Sequence, residues 1–221
     1  AETMTENLLQ RRENSTAAFH TIHNGFDEDD FSSVKFVKKS VSDKILFAFT
    51  GNIYNEIEHI FFPFLKMLTK FRIKERNIYE KLSFSFYGTC PQKYIDFARE
   101  NKLTVINFLP SVPVDKVFAE VAKSDFCTLF LNDDHTFTKS TKFAEYISMK
   151  KKVIVFSKPG QLQEYVELNG IGYGCSPDNM ESAFLRILTE YSSGQYPFNE
   201  KFDVSPFSIS KLTDKLEALF I

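Results

Sequence analysis

Between Asp133 and Phe156 the chain reads DDHTFTKSTKFAEYISMKKKVIVF, a polar loop, a short helix and then a buried strand. Thr138, Ser140 and Thr141 are residue types that cap helix starts, and Lys139 and Lys142 bracket them. Phe143, Tyr146 and Ile147 fall at i, i+3 and i+4, which gives the helix one apolar face. Val153 to Phe156 is rich in β-branched residues and suits a central parallel strand. The start of such a helix offers unpaired N–H groups and a partial positive charge, which together suit a phosphate. Lys142 adds a cation there, and Glu145, one turn beyond Thr141, can face the same ligand. A carboxylate so placed can accept hydrogen bonds from both ribose hydroxyls while the helix end holds phosphates. The same pattern also fits a plain capped helix with a solvated carboxylate, and spacing alone does not separate the two.

Outward from this stretch, strands and helices alternate. Apolar runs at Ile45–Thr50, Leu82–Tyr87, Thr104–Phe108, Phe126–Leu131, Val153–Phe156 and Gly172–Gly174 read as strands. Helical spacing covers Ile57–Phe71, Pro91–Asn101, Val114–Ala122, a stretch beginning at Pro159-Gly160 and ending near Asn169, Met180–Tyr191 and Ile209–Phe220. This alternation predicts an α/β, Rossmann-like, doubly wound parallel sheet of about six strands with helices on both faces. The expected bounds are a linker and remnant of another domain over 1–41, the Rossmann-like domain over 42–193, and a loop and helix over 194–221. Glu6–Arg12 looks helical and Thr21–Asp27 reads as a short strand broken by Asn24-Gly25. The chain begins without Met inside that helix-like stretch, as a piece of a longer chain would.

In such sheets ligands sit beyond the carboxyl ends of the strands. The loops there are Gly51-Asn52-Ile53-Tyr54, Gly88-Thr89, Leu109-Pro110-Ser111, Asn132-Asp133-Asp134-His135 and Lys158-Pro159-Gly160. Glycines at three of them let backbone approach a ligand, although strand-to-helix turns use glycine in any case.

Composition removes several classes. A net charge of -2 gives no excess of cations for nucleic acid. Cys90, Cys127 and Cys175 are an odd, widely spaced set that fits neither a disulfide framework nor a zinc site, so a reducing compartment, the cytoplasm, is expected. No apolar run is long enough to span a bilayer. Asp133, Asp134 and His135 lack a convergent third ligand, so no metal is expected. His20, His23 and His59 have no partner spacing and read as structural or surface residues. Neither a Gly-x-Ser-x-Gly elbow, a Gly-x-Gly-x-x-Gly turn nor a Gly-Lys-Ser/Thr phosphate loop is present.

The chain resembles a known family. Asn24-Gly25-Phe26-Asp27 ahead of a glycine-ended strand is similar to the domain-junction motif of GT-B glycosyltransferases. Ser140-Thr141-Lys142-Phe143-Ala144-Glu145-Tyr146-Ile147, followed by Lys151-Lys152-Val153-Ile154, resembles the Ser-x-Lys-x-x-Glu-Tyr and Lys-x-Val-Ile signature of the retaining, family-four-like members. The resemblance implies the C-terminal, donor-binding half of a hexosyltransferase that uses a nucleotide-diphosphate sugar and no further cofactor. It implies that Glu145 holds the ribose and that Ser140, Thr141 and Lys142 hold the diphosphate. Gly51, Asn52 and Gly88 then lie near the phosphates, Leu109 and Pro110 by the base, and Gly160 at the rim of the cleft, with Lys142 and Glu145 as the catalytic pair.

Two departures stand out. The family often has a glutamate eight positions before the ribose carboxylate, where this chain has Phe137. Many members place Arg and Lys after the first strand, whereas Gly51 to Leu65 holds neither, leaving Lys142 as the substitute cation. The resemblance further implies bacterial cell-surface polysaccharide synthesis, an acceptor domain beyond this chain, and membrane association only through that domain. The chain alone is expected to bind donor and transfer nothing. Two rival readings remain beside it: a non-enzymatic Rossmann-like binding module, and a nucleotide-sugar epimerase of the same two-domain layout.

Overall fold

The computed structural model describes residues 6, 10, 18–31 and 43–220, with the side chain of Asp115 left aside. Six strands form one sheet: β1 (Ile45–Thr50), β2 (Leu82–Tyr87), β3 (Ile106–Leu109), β4 (Phe126–Phe130), β5 (Lys152–Phe156) and β6 (Gly172–Cys175). Their order is β3-β2-β1-β4-β5-β6, and every recorded pairing is parallel. The order reverses between β1 and β4, so the crevice above those two strand ends is the switch point at which such sheets bind ligands.

Eight helices flank the sheet among the described residues: α1 (Glu58–Lys74), α2 (Arg76–Tyr79), α3 (Gln92–Glu100), α4 (Val114–Lys123), α5 (Thr141–Ser148), α6 (Gln161–Leu168), α7 (Met180–Ser192) and α8 (Ile209–Glu217). One core packs α1, α3 and α7 on one face, with Ile60, Phe64, Leu68, Tyr94 and Phe184 buried there. The other packs α4, α5 and α6, through Phe118, Phe143, Ile147, Leu162 and Val166. β4 is buried at every position and β5 at all but Lys152, as expected of central parallel strands covered on both sides.

The first core explains a chain with 25 Phe and no Trp. Phe47 stacks on Phe84 with ring centroids 4.3 Å apart, and Phe130 on Phe156 at 4.8 Å. Phe64 meets Phe84, Phe130 and Phe156 edge-on at 5.1–5.3 Å. Offset stacks and edge contacts are the geometries that the ring quadrupole favours. Truncating any one of these to Ala would cost about 3–5 kcal/mol.

Several expectations need correction. The third strand begins at Ile106 rather than Thr104, because Leu103 N–H is held by the Ala98 carbonyl and residues 103–105 still close the preceding helix. The helix expected from Pro159-Gly160 starts at Gln161, with Gly160 as its extended N-cap. The last helix ends at Glu217, and the first long one continues to Lys74 and is followed by the unforeseen α2. The strand expected near residues 21–27 is a single parallel bridge of Phe26 with Ser208. That bridge carries two hydrogen bonds, Phe26 N–H to the Phe207 carbonyl and Ile209 N–H to the Phe26 carbonyl, each 2.9 Å. The helix expected over Glu6–Arg12 lies outside the described residues apart from Glu6 and Gln10.

The tail also joins the second core, through buried Phe198 and Phe207. No helix among the described residues is long and apolar enough to cross a membrane.

Candidate functional site

β1 ends at Thr50, and Gly51 follows at φ +111°, a left-handed region that suits glycine. β2 ends likewise, with Gly88 at φ +142°. The two turns touch: a Cβ on Gly88 would lie 2.6 Å from the carbonyl carbon of Gly51. Gly51 N–H reaches the Tyr87 carbonyl at 2.7 Å, and Gly88 N–H reaches the Leu109 carbonyl at 3.0 Å. The ends of β1, β2 and β3 are thus laced into one ledge. Asn52 stiffens it by accepting from Thr89 N–H through Oδ1 at 3.1 Å.

α5 starts beside this ledge. Ser140 is its N-cap, with the side-chain oxygen accepting from Phe143 N–H at 3.3 Å. The amides of Thr141 and Lys142 meet no acceptor among the described residues, and Thr141 is exposed, so the helix end is open. The helix is seated by Tyr146, whose buried hydroxyl accepts from Thr50 N–H at 2.9 Å and also bonds Thr50 Oγ1 at 2.9 Å. Burial drives the Tyr146 phenol far above its ordinary range, so it stays a neutral linker between α5 and the end of β1.

Lys142 crosses from α5 to the ledge. A Cβ on Gly51 would fall 2.6 Å from its Nζ, which also lies 5.6 Å from the ring centre of Phe49. No carboxylate pairs with this ammonium within salt-bridge distance among the described residues. Glu145 is half-buried three residues on, and no hydrogen bond reaches its carboxylate among the described residues. Its carboxyl is raised above the ordinary value, chiefly by burial, with Lys142 pulling it down and Asp30 adding a smaller rise. An acid poised this way gains by accepting donors from a ligand.

Of the residues expected at a site, Gly51, Asn52, Gly88, Ser140, Thr141, Lys142 and Glu145 therefore gather at the switch point. Leu109 and Pro110 lie at the end of β3, two strands to one side. Gly160 lies two strands to the other side, packed so that a Cβ would meet Thr136 Oγ1 at 2.7 Å. With strands about 4.8 Å apart, these loops spread over roughly 19 Å, a row of subsites rather than one pocket. Phe137 is half-buried in the loop between them.

Sequence reading missed one cluster. His59, read as a structural or surface residue, bonds Asp133 at 2.9 Å from Nε2 to Oδ1, and Lys158 pairs with the other oxygen of the same carboxylate. Nothing in local spacing joins residues 59, 133 and 158. Their common position at strand ends of one sheet edge was the signal that could have done so. No group of three His, Cys, Asp or Glu among the described residues can hold a metal ion.

No family model matches this sequence, and no curated protein does. Solved structures do match. The lipopolysaccharide outer core galactosyltransferase WaaB, in its apo form, superposes with a TM-score of 0.64 at 13% identity over 98% of this chain and 59% of its own. MnaA of S. aureus, solved with UDP, matches with 0.61 at 16% identity over 98% of this chain and 56% of its own. The pneumococcal O-GlcNAc transferase GtfA, solved with UDP and GlcNAc, matches with 0.61 at 12% identity over 99% of this chain and 42% of its own. This chain thus spans roughly half the length of the proteins it matches. At such identities the fold is what is shared: a six-stranded parallel α/β sheet of Rossmann-like type, as the alternation of strands and helices implied, and the neighbours that carry it include glycosyltransferases of GT-B type.

Proposed function

We propose that this chain is the donor-binding half of a glycosyltransferase that uses a nucleotide-diphosphate sugar. The observation that carries the reading is the meeting of Gly51, Gly88 and Lys142 beside the open first turn of α5, with Glu145 half-buried one turn along. The diphosphate rests against the Thr141 and Lys142 amides and the Lys142 ammonium, which answer its charge without a metal. Glu145 accepts from the ribose hydroxyls. The base extends over the β3 end by Leu109 and Pro110, and the sugar extends the other way towards Gly160.

In transfer, the bond from the anomeric carbon to the diphosphate oxygen breaks, the acceptor oxygen takes the sugar, and its proton passes to a base. The diphosphate leaves with the bonding electrons. Lys142 and the α5 terminus stabilise the charge that develops on it, a contribution that acts most strongly in the transition state. An acceptor-binding domain completes the cleft, so the chain alone binds donor and transfers nothing. We place the whole reaction in the cytoplasm of a bacterium, in the synthesis of a surface glycan.

Calorimetry with UDP, GDP and ADP tests the reading. One of the three binds, and Glu145→Ala loses about 1.5–3 kcal/mol, the value of hydrogen bonds to a charged group. Absence of binding for all three, or an unchanged affinity in the variant, overturns it.

A further inference from the structure

Asp133 is gripped from two sides, by His59 in the first turn of α1 and by Lys158 in the loop after β5. His59 comes from the connection after β1, Asp133 from the one after β4, and Lys158 from the one after β5. His59 Nε2 lies 2.9 Å from Asp133 Oδ1, and the Lys158 ammonium pairs with Oδ2. Together they hold the Asp133 carboxyl below the usual carboxylate range, Lys158 more strongly than His59. All three side chains are partly exposed, with 41%, 39% and 59% of their surfaces accessible in chain order, so water weakens the pair and little is lost by breaking it.

The cluster borders the place where charge is lacking. No Lys or Arg follows β1 before Lys66, and Lys142 supplies a single positive charge to the Gly51–Gly88 ledge. A nucleoside diphosphate brings at least two negative charges. The end of β5 lies two strands from β1, about 10 Å away, and Lys158 stands two residues beyond it on a four-carbon stem. The loop that carries it is pressed on the Asp133 loop through the Gly160–Thr136 contact, and Leu162 N–H bonds the Thr136 carbonyl at 2.9 Å.

We propose that Lys158 is the second cation of the donor site, parked on Asp133 when the site is empty and moving to the diphosphate when donor arrives. His59 stays with Asp133 and keeps that carboxylate hydrogen-bonded after its cation has gone. The proposal rests on the nucleotide-diphosphate reading above. It adds a residue to the site and a competitor, Asp133, that sets how tightly donor is held.

Equilibrium binding of UDP, GDP, ADP and the matching nucleoside to the full chain, in five forms, tests it. Lys158→Gln weakens the diphosphate about tenfold, the scale of one charge-assisted hydrogen bond, and leaves the nucleoside unchanged. Lys158→Arg keeps most of the affinity, and Asp133→Asn, which frees the lysine, tightens the diphosphate. Glu145→Ala weakens nucleoside and diphosphate alike and reports on the underlying site. If Glu145→Ala weakens binding while Lys158→Gln does not, the latch is refuted and the nucleotide site survives. If Asp133→Asn fails to tighten binding, the competition is refuted. If no nucleoside diphosphate binds the wild-type chain, both readings fall. All variants lie at exposed or half-buried positions, and unchanged thermal unfolding shows that they fold.

Discussion

The ammonium of Lys142 occupies the space that a side chain at residue 51 would need, 2.6 Å from where its Cβ would stand. A cation carried by one helix is thereby delivered to the end of a strand that has no cation of its own. Glycine at 51 suits φ +111°, and a side chain there would also have to push the lysine aside. Lys142→Gln should cost about 1.5–3 kcal/mol of diphosphate affinity, as expected for losing a charged hydrogen-bond donor, with little change for the nucleoside. Calorimetry on the matched pair checks this, and equal losses for both ligands would remove Lys142 from the phosphates.

The pH dependence of binding follows from Glu145. Its carboxyl titrates above the ordinary 4.5, raised chiefly by burial, with Lys142 pulling it down and Asp30 adding a smaller rise. Ribose recognition needs the ionised form, so nucleoside affinity should hold at neutral pH and fall as pH drops through that raised value. Asp30→Asn should move the loss to lower pH and Lys142→Gln to higher pH. For the empty protein the sign reverses. Protonated Glu145 favours the folded state below 4.5, and this stability is lost as pH climbs through the folded value. Nucleoside titrations across the acid range, with thermal unfolding in parallel, would show both trends.

Tyr146→Phe isolates the joint between α5 and β1. It deletes the acceptor for the Thr50 N–H, and Thr50 is 8% exposed, so a buried donor is left unpaired. The expected loss is about 1–3 kcal/mol. For a chain of this size that corresponds to a melting point lower by roughly 2–10 °C. A melting point equal to that of the parent would mean that α5 does not depend on this bond for its seat.

Gly25→Ala tests the contact between the two ends of the described chain. The new Cβ would meet Leu212 Cδ1 at 2.5 Å and the Phe207 carbonyl oxygen at 2.6 Å, and backbone cannot yield as a side chain can. Overpacking of this kind costs about 1–3 kcal/mol. Urea unfolding should show a lower midpoint with an unchanged slope, because the surface exposed on unfolding is the same.

Much of this was legible because it is local. Glycines directly after Thr50 and Tyr87 marked two strand ends, and the i, i+3, i+4 spacing of Phe143, Tyr146 and Ile147 gave the buried side of α5. Thr138, Ser140 and Thr141 were all cap candidates by residue type, and the structure gives the cap to Ser140. What stayed hidden was pairing across distance. The Tyr146 hydroxyl was read only as part of an apolar face, yet its partner Thr50 is 96 residues away. His59 and Asp133 are 74 apart, and no periodicity spans such a gap. The slip at Thr104 has a different cause: on an edge strand of four residues, alternation is too short to mark where the preceding turn stops.

Asn24 Nδ2 donates to the Lys139 carbonyl at 3.2 Å, one residue before the cap of α5, while its neighbour Phe26 is bolted to Ser208. The backbone arriving through residues 18–26 is therefore coupled to the first turn of α5 by two residues and a hydrogen bond. A displacement of residues 18–26 would therefore be felt at Lys139, just ahead of the first turn of α5.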